Sequence, residues 1–80
     1  MGDFTIRMPR TSVAVHEAHF IEAYVQDGGH VTEGEPLFLI ETEKVETEVV
    51  AGATGTVQWT APSDTTYAIG AEIGVIRETS

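Results

Sequence analysis

The chain of 80 residues contains no cysteine and only four basic side chains. Without cysteine, disulfides, thiolate zinc sites and a cysteine nucleophile are all excluded. Small secreted domains often depend on disulfides, so the composition favours a reducing compartment. One of the four bases is Lys44, the only lysine in the chain. Any chemistry that needs a side-chain amine therefore has a single candidate.

Long apolar runs are also missing: no stretch approaches the ~20 residues needed to cross a bilayer. The first residues carry neither the basic region nor the apolar stretch of a secretory signal. Thirteen acids give a formal net charge of −9, which disfavours nucleic acids and anionic membranes as partners because phosphates would be repelled. The acidic surface serves either solubility or the docking of basic partners.

Sustained helical periodicity is absent, and short β-rich runs alternate with turn residues instead. Candidate strands cover residues 4–8, 20–25, 37–42, 45–50, 55–59 and 73–77, with a shorter one at 12–15. This pattern predicts an all-β barrel or sandwich. The length predicts one domain over residues 1–80, with flexible ends at 1–3 and 78–80.

The sequence repeats itself at the distance between Gly34 and Gly70, which is 36 residues (70 − 34 = 36). The same offset pairs residues that mostly match in apolar character: Thr11 with Thr47, Val13 with Val49, Ile21 with Val57, Val31 with Tyr67, Leu37 with Ile73, Leu39 with Val75 and Ile40 with Ile76. Two similar halves of a β-domain predict two sheets related by an approximate two-fold axis.

Residues 38–49 are predicted to form a hairpin with Glu43 and Lys44 as its two-residue loop. One face would then carry three cross-strand pairs: Thr42 with Val45, Ile40 with Thr47 and Phe38 with Val49. We expect that face to be buried, and the opposite face, with Glu41, Glu46 and Glu48, to be acidic and solvated. The loop lacks glycine and asparagine, which favours a type I turn or a longer loop.

Lys44 at an exposed tip is a poor catalytic amine. A Schiff-base lysine needs burial or a neighbouring cation to lower its pKa, whereas the surrounding glutamates favour the charged form. We therefore predict no catalytic residue in the isolated chain. His16, His19 and His30 form no recognisable ligand cluster, so no metal site is predicted. An ordinary exposed lysine without a role remains an alternative.

The segment Glu41-Thr42-Glu43-Lys44-Val45 resembles the Glu-Thr-Asp-Lys-Ala signature of lipoyl domains from 2-oxo acid dehydrogenase complexes. The similarity extends over nearly the whole chain. It includes Met8-Pro9, the series Gly28, Val31, Gly34 and Leu37, then Glu48-Val49, Gly55-Thr56-Val57, Gly70 and residues 73–76. Residues 9–18 resemble the family's loop beside the lysine hairpin.

The resemblance implies a flattened β-barrel, or barrel-sandwich hybrid, of two four-stranded antiparallel sheets with quasi-two-fold symmetry. Lipoic acid would be attached to Lys44 through an amide, by a lipoate ligase or lipoyl transferase. Recognition by the ligase and partners would use the hairpin residues Glu41, Thr42, Glu43, Val45 and Glu46. The chain would be a swinging-arm carrier that is not an enzyme by itself, within a dihydrolipoyl acyltransferase component.

Its implied partners are a thiamin-dependent 2-oxo acid decarboxylase, an acyltransferase domain and a dihydrolipoyl dehydrogenase. The implied location is the bacterial cytoplasm or the mitochondrial matrix, and the isolated domain is expected to be monomeric. The chain departs from the signature at Glu43 and Val45, and Ala18 replaces a frequent glycine. Two alternatives remain: a biotinyl carrier domain, whose lysine has methionine on both sides, and a non-modified acidic β-barrel interaction module.

Overall fold

The computed structural model describes residues 2–10, 15–43 and 45–78, and this part of the chain is all-β. The strands are β1 (Asp3–Arg7), β2 (Glu17–Ala23), β3 (His30–Val31), β4 (Pro36–Thr42), β5 (Val45–Val50), β6 (Gly55–Trp59), β7 (Thr65–Ala68) and β8 (Glu72–Glu78). They form two four-stranded antiparallel sheets, ordered β1-β8-β6-β3 and β5-β4-β2-β7. The predicted fold class is confirmed. No helix of the described residues is long and apolar enough to cross a membrane.

Six of the predicted strands lie where the sequence pattern placed them, with ends that differ by up to three residues. The prediction missed β3 and β7, because a two-residue strand and a four-residue strand between turns leave little alternation to read. The candidate strand at 12–15 falls largely outside the described residues, and Val15 itself is not in a strand. Asp3 and Glu78 lie in paired strands, and flexible ends stay a prediction.

The topology is that of a two-fold repeat, in which β1 to β4 correspond to β5 to β8. The offset of 36 holds from β4 to β8, where Leu37 and Ile73 are both buried. The predicted pair of Ile21 with Val57 is wrong, because Phe20 and Val57 pair with Ile40 and Ile76 respectively, which gives an offset of 37 (57 − 20 = 37). After Ile21 the offset is 36 again (58 − 22 = 36), since Glu22 pairs with Leu39 and Gln58 with Val75. A β-bulge at Ile21 absorbs the extra residue.

The first strand departs further from the predicted repeat. Phe4 pairs with Ile76 as Thr47 pairs with Ile40, so β1 and β5 correspond at an offset of 43 (47 − 4 = 43). The predicted partners at positions 11 and 13 lie outside the described residues. The two halves are therefore related by topology and register, while their linkers differ in length.

The core between the sheets is apolar, and no polar or charged residue of the described part is buried. Phe20 lies at the centre of an aromatic cluster, with ring centroids 5.4 Å from Phe38, 5.3 Å from Trp59 and 6.4 Å from Tyr67. The indole of Trp59 donates a hydrogen bond to the carbonyl oxygen of Val25 at 2.8 Å. The cluster joins both sheets, because Phe20 and Phe38 belong to one and Trp59 to the other. It fixes the base from which the hairpin projects.

Candidate functional site

The β4–β5 hairpin has the predicted register. Thr42 pairs with Val45, Ile40 with Thr47 and Phe38 with Val49. The closing pair leaves Glu43 and Lys44 as a two-residue connection. Lys44 itself lies outside the described residues. The structure describes the residues on either side of it, Glu43 and Val45.

The turn differs from the prediction at Glu43, whose φ is +49°. A type I turn needs a φ near −60° at this position, so that prediction is wrong. The right-handed twist of paired strands favours two-residue turns that begin with a positive φ. At Glu43 this effect outweighs the preference of glutamate for a negative φ. A left-handed residue with a Cβ costs about 1 kcal/mol, which the paired strands must offset. Glu43 is thus held in a strained conformation directly before Lys44.

This strain predicts that Glu43→Asn stabilises the domain, because asparagine tolerates the left-handed region better than glutamate. The matched control is Glu43→Gln, which removes the same charge and retains the strain. We expect Glu43→Asn to exceed Glu43→Gln by about 0.5–1 kcal/mol in the free energy of unfolding, measured by urea denaturation. Equal stability of the two variants would show that charge, and not φ, governs this position.

The inner face of the hairpin is buried only at its base. Phe38 and Ile40 are at most 1% exposed, whereas the side chain of Val45 is 60% exposed. The prediction that the whole face is buried is therefore wrong at the tip. The hairpin extends past the core cluster, so its last cross-strand pair consists of the half-buried Thr42 and the exposed Val45. A side chain at the tip is accessible to another protein without movement of the core.

The outer face is acidic, as predicted. Glu41 and Glu46 lie directly opposite each other on neighbouring strands, and Glu46 and Glu48 are exposed. Partial desolvation and then the negative charges of Glu48, Glu22 and Glu46 raise the pKa of Tyr24 above its ordinary value of 10.0. Burial and the neighbouring carboxylates thus disfavour the ionised form of the Tyr24 phenol. The negative potential over this face also favours the charged form of a nearby amine.

A cleft of about 350 Å³ adjoins the hairpin tip, lined by Val15, His16, Glu17, Thr42 and Glu43. The end of segment 9–18 therefore lies beside the lysine hairpin, as the resemblance implies. Residues 11–14 of that segment lie outside the described residues. The cleft thus brings a second chain segment, residues 15–17, beside Thr42 and Glu43 at the end of β4.

The histidines do not converge. His19 contacts the hydroxyl of Thr66 through Nδ1 and Asp64 Oδ1 through Nε2, both at 3.1 Å, whereas His16 borders the tip cleft. Sequence reasoning missed the His19 cluster, because its partners are more than forty residues away and pair only through β2 and β7. Within the described ranges, no three His, Asp or Glu side chains are placed to hold a metal ion.

Of the residues predicted to serve in recognition, Thr42 and Glu43 lie both at the tip and in the lining of the cleft. Glu41 and Glu46 lie one pair further from the tip on the acidic face, and Val45 projects into solvent. The sequence offered no signal for the cleft itself, because its two walls are separated by more than twenty residues. The described residues of the hairpin thus present exposed, acidic side chains on a rigid base.

Comparison with known proteins agrees with this geometry. A biotin/lipoyl family model, described as "Biotin-requiring enzyme", matches residues 4–76, which is nearly the whole chain. No curated protein matches the chain. Members of this family carry lipoate or biotin covalently on a lysine and are not themselves catalytic. Together the two-fold β-sandwich and the family match show that the chain belongs to the biotin/lipoyl attachment family.

Proposed function

We propose that the chain is a lipoyl carrier domain, with lipoate joined to Lys44 through an amide. The register of the hairpin carries this proposal: the Thr42–Val45 pair makes Glu43 and Lys44 the loop. Lys44 is also the only lysine, and the family requires one. An amide-linked group fits a tip where Val45 is largely exposed, because attachment there displaces no core side chain.

The flanking residues favour lipoate over biotin. Biotin carrier domains resemble one another in having methionine on both sides of the lysine, whereas Glu43 and Val45 occupy these positions here. The segment Glu41–Val45 instead resembles the lipoyl signature. The acidic pair Glu41 and Glu46, with Glu43, gives a ligase a charged surface around its target amine. We assign recognition to these residues together with Thr42 and Val45.

The domain's own task is presentation. The paired strands hold the backbone on both sides of Lys44, so the arm swings from a fixed origin. When bound, lipoate supplies a dithiolane that accepts acyl groups and electrons. Tethering keeps the acyl group at high local concentration and prevents its loss to solvent. Neighbouring carboxylates favour the charged form of an amine, so we expect the domain to serve as the ligase's substrate and to have no reactivity of its own.

The partners proposed for this carrier are those of a 2-oxo acid dehydrogenase complex: a thiamin-dependent decarboxylase, an acyltransferase domain and a dihydrolipoyl dehydrogenase. The chain would belong to the acyltransferase component, in the bacterial cytoplasm or the mitochondrial matrix. The support is the likeness of residues 41–45 to the lipoyl signature.

Coexpression with either ligase tests the choice of cofactor. With a lipoate ligase and lipoate, the intact mass should increase by one lipoyl group. With a biotin ligase and biotin, the wild type should gain no mass and should not bind avidin. The matched comparison is the double variant Glu43→Met/Val45→Met, which introduces the methionine flanks typical of biotin domains and is tested with the same two ligases. Biotinylation of the wild type in preference to lipoylation would reverse the assignment.

A further inference from the structure

A second surface lies away from the lysine, where the edges of the two sheets meet. Strands β1 and β5 are edge strands of different sheets, and both line one apolar cleft of about 260 Å³. Its lining consists of Phe4, Ile6, Arg7, Leu37, Phe38, Val49, Val50 and Gly52. Arg7 is the one charged side chain among them, and its guanidinium donates a hydrogen bond to the carbonyl oxygen of Gly70 at 3.0 Å. The volume is several times the ~30 Å³ that one water molecule occupies in the liquid, so the cleft has room for side chains from outside the chain.

The cleft reaches the core and opens to solvent at its rim. Leu37 and Phe38 at its floor belong to the buried core. At the rim, Phe4 is 39% and Val50 52% exposed, and these are two of the four exposed large hydrophobic residues in the described part. The ring of Phe4 packs on Gly52, where an added Cβ would come within 2.6 Å of Cζ. Phe4 and Val50 thus expose apolar surface to water beside the cleft, as residues of an interaction site do.

The backbone of β5 is open beside this cleft. Among the described strands, β5 pairs only with β4, and alternate residues of an edge strand direct their N–H and C=O groups outward. On its outer face β5 carries the exposed Glu46 and Glu48. Such an edge strand, apolar on one side and acidic on the other, favours an added strand that has apolar side chains on one face and basic side chains on the other.

We propose that the β5 edge binds an extended peptide segment in which Lys or Arg alternates with apolar residues. The segment adds one strand to the β5-β4-β2-β7 sheet. Its basic side chains lie beside Glu46 and Glu48, and its apolar side chains enter the cleft between Phe4 and Val50. The peptide shares Glu46 with the surface assigned above to ligase recognition, but its binding requires neither the Lys44 amine nor an attached group.

A second copy of this chain is a poorer occupant. Antiparallel pairing of two β5 strands centred on Thr47 would place Glu46 of one copy opposite Glu48 of the other. Like charges directly opposite each other on neighbouring strands are destabilising. A basic partner replaces this repulsion with attraction. The acidic side chains therefore select the partner and also protect the edge from self-association.

The test uses the ¹⁵N-labelled domain and two capped peptides of equal length, one alternating valine with lysine and the other valine with glutamate. The lysine peptide should shift the amide resonances of β5 and Phe4 and slow the exchange of outward β5 amides, and added salt should weaken its binding. The glutamate peptide should bind at least about tenfold more weakly. Lys44→Arg should bind the lysine peptide as the wild type does.

The matched variant is the charge swap Glu46→Lys/Glu48→Lys, with Glu48→Lys alone as the milder change. Both side chains are exposed, and dispersed amide spectra check the fold. The swap should weaken the lysine peptide about tenfold and strengthen the glutamate peptide. Three results would each overturn the proposal. The affinities could be unchanged by the swap, the amide shifts could be confined to Glu22 and Glu41 on β2 and β4, or the shifts could depend on protein concentration in the absence of peptide.

Discussion

Replacing Lys44 with arginine should abolish lipoylation completely. Arginine keeps the positive charge and the length of the side chain, but its guanidinium does not form the amide. No other lysine exists in the chain, so no side-chain amine can substitute. After coexpression with a lipoate ligase, the variant should show only the unmodified mass, whereas the wild type should gain one lipoyl group.

Native electrophoresis gives a second readout of the same experiment. Amide formation removes one positive charge, so the formal net charge of the wild type should change from −9 to −10 (−9 − 1 = −10). The arginine variant should migrate as the unmodified wild type does and should unfold at the same urea concentration. A lipoyl group on the variant would refute Lys44 as the attachment site, even if the family assignment is correct.

Phe20→Ala should remove most of the stability of the domain. Its ring contacts Phe38, Trp59 and Tyr67, and truncation of a buried phenylalanine costs about 3–5 kcal/mol. A chain of this length has a total stability of about 4–12 kcal/mol. Urea denaturation followed by Trp59 fluorescence should therefore show a large fall in the midpoint or a chain unfolded in buffer.

Two controls separate packing from the loss of any aromatic side chain. Phe20→Leu keeps most of the volume and should cost about 1 kcal/mol. Tyr24→Ala removes an exposed aromatic near the same sheet and should cost about 0.5 kcal/mol. If Tyr24→Ala were as destabilising as Phe20→Ala, the aromatic cluster would not be the main source of stability.

The sequence predicted those parts of the fold that alternation and turn chemistry specify. The hairpin register followed from matching Thr42 with Val45 and Phe38 with Val49, because a shift by one residue would expose the apolar set. The repeat was correct from β4 to β8. It failed at Ile21, because a bulge changes register without changing composition.

The site was predicted less completely than the fold. The hairpin that carries Lys44 was predicted correctly, whereas the role of Lys44 rests on the resemblance of residues 41–45 to the lipoyl signature and stays a prediction. The left-handed conformation of Glu43 was not predicted, because the twist of the paired strands favours a positive φ in the turn even where the residue itself disfavours it. The two clefts also escaped prediction, since each joins segments distant in the chain. The β1–β5 cleft depends on which strands lie at the sheet edges, and that is a property of the three-dimensional topology.

Because the hairpin tip extends beyond the core, recognition at the tip and stability of the core depend on different residues. Since Val45 is 60% exposed and neither Val45 nor Thr42 belongs to the core cluster, we expect local opening of this last pair to leave the aromatic cluster intact. An enzyme that grips the tip therefore works against a local opening and not against global unfolding. Substitutions of Val45 can therefore change recognition by a partner while the free energy of unfolding stays nearly constant, and core substitutions can do the reverse.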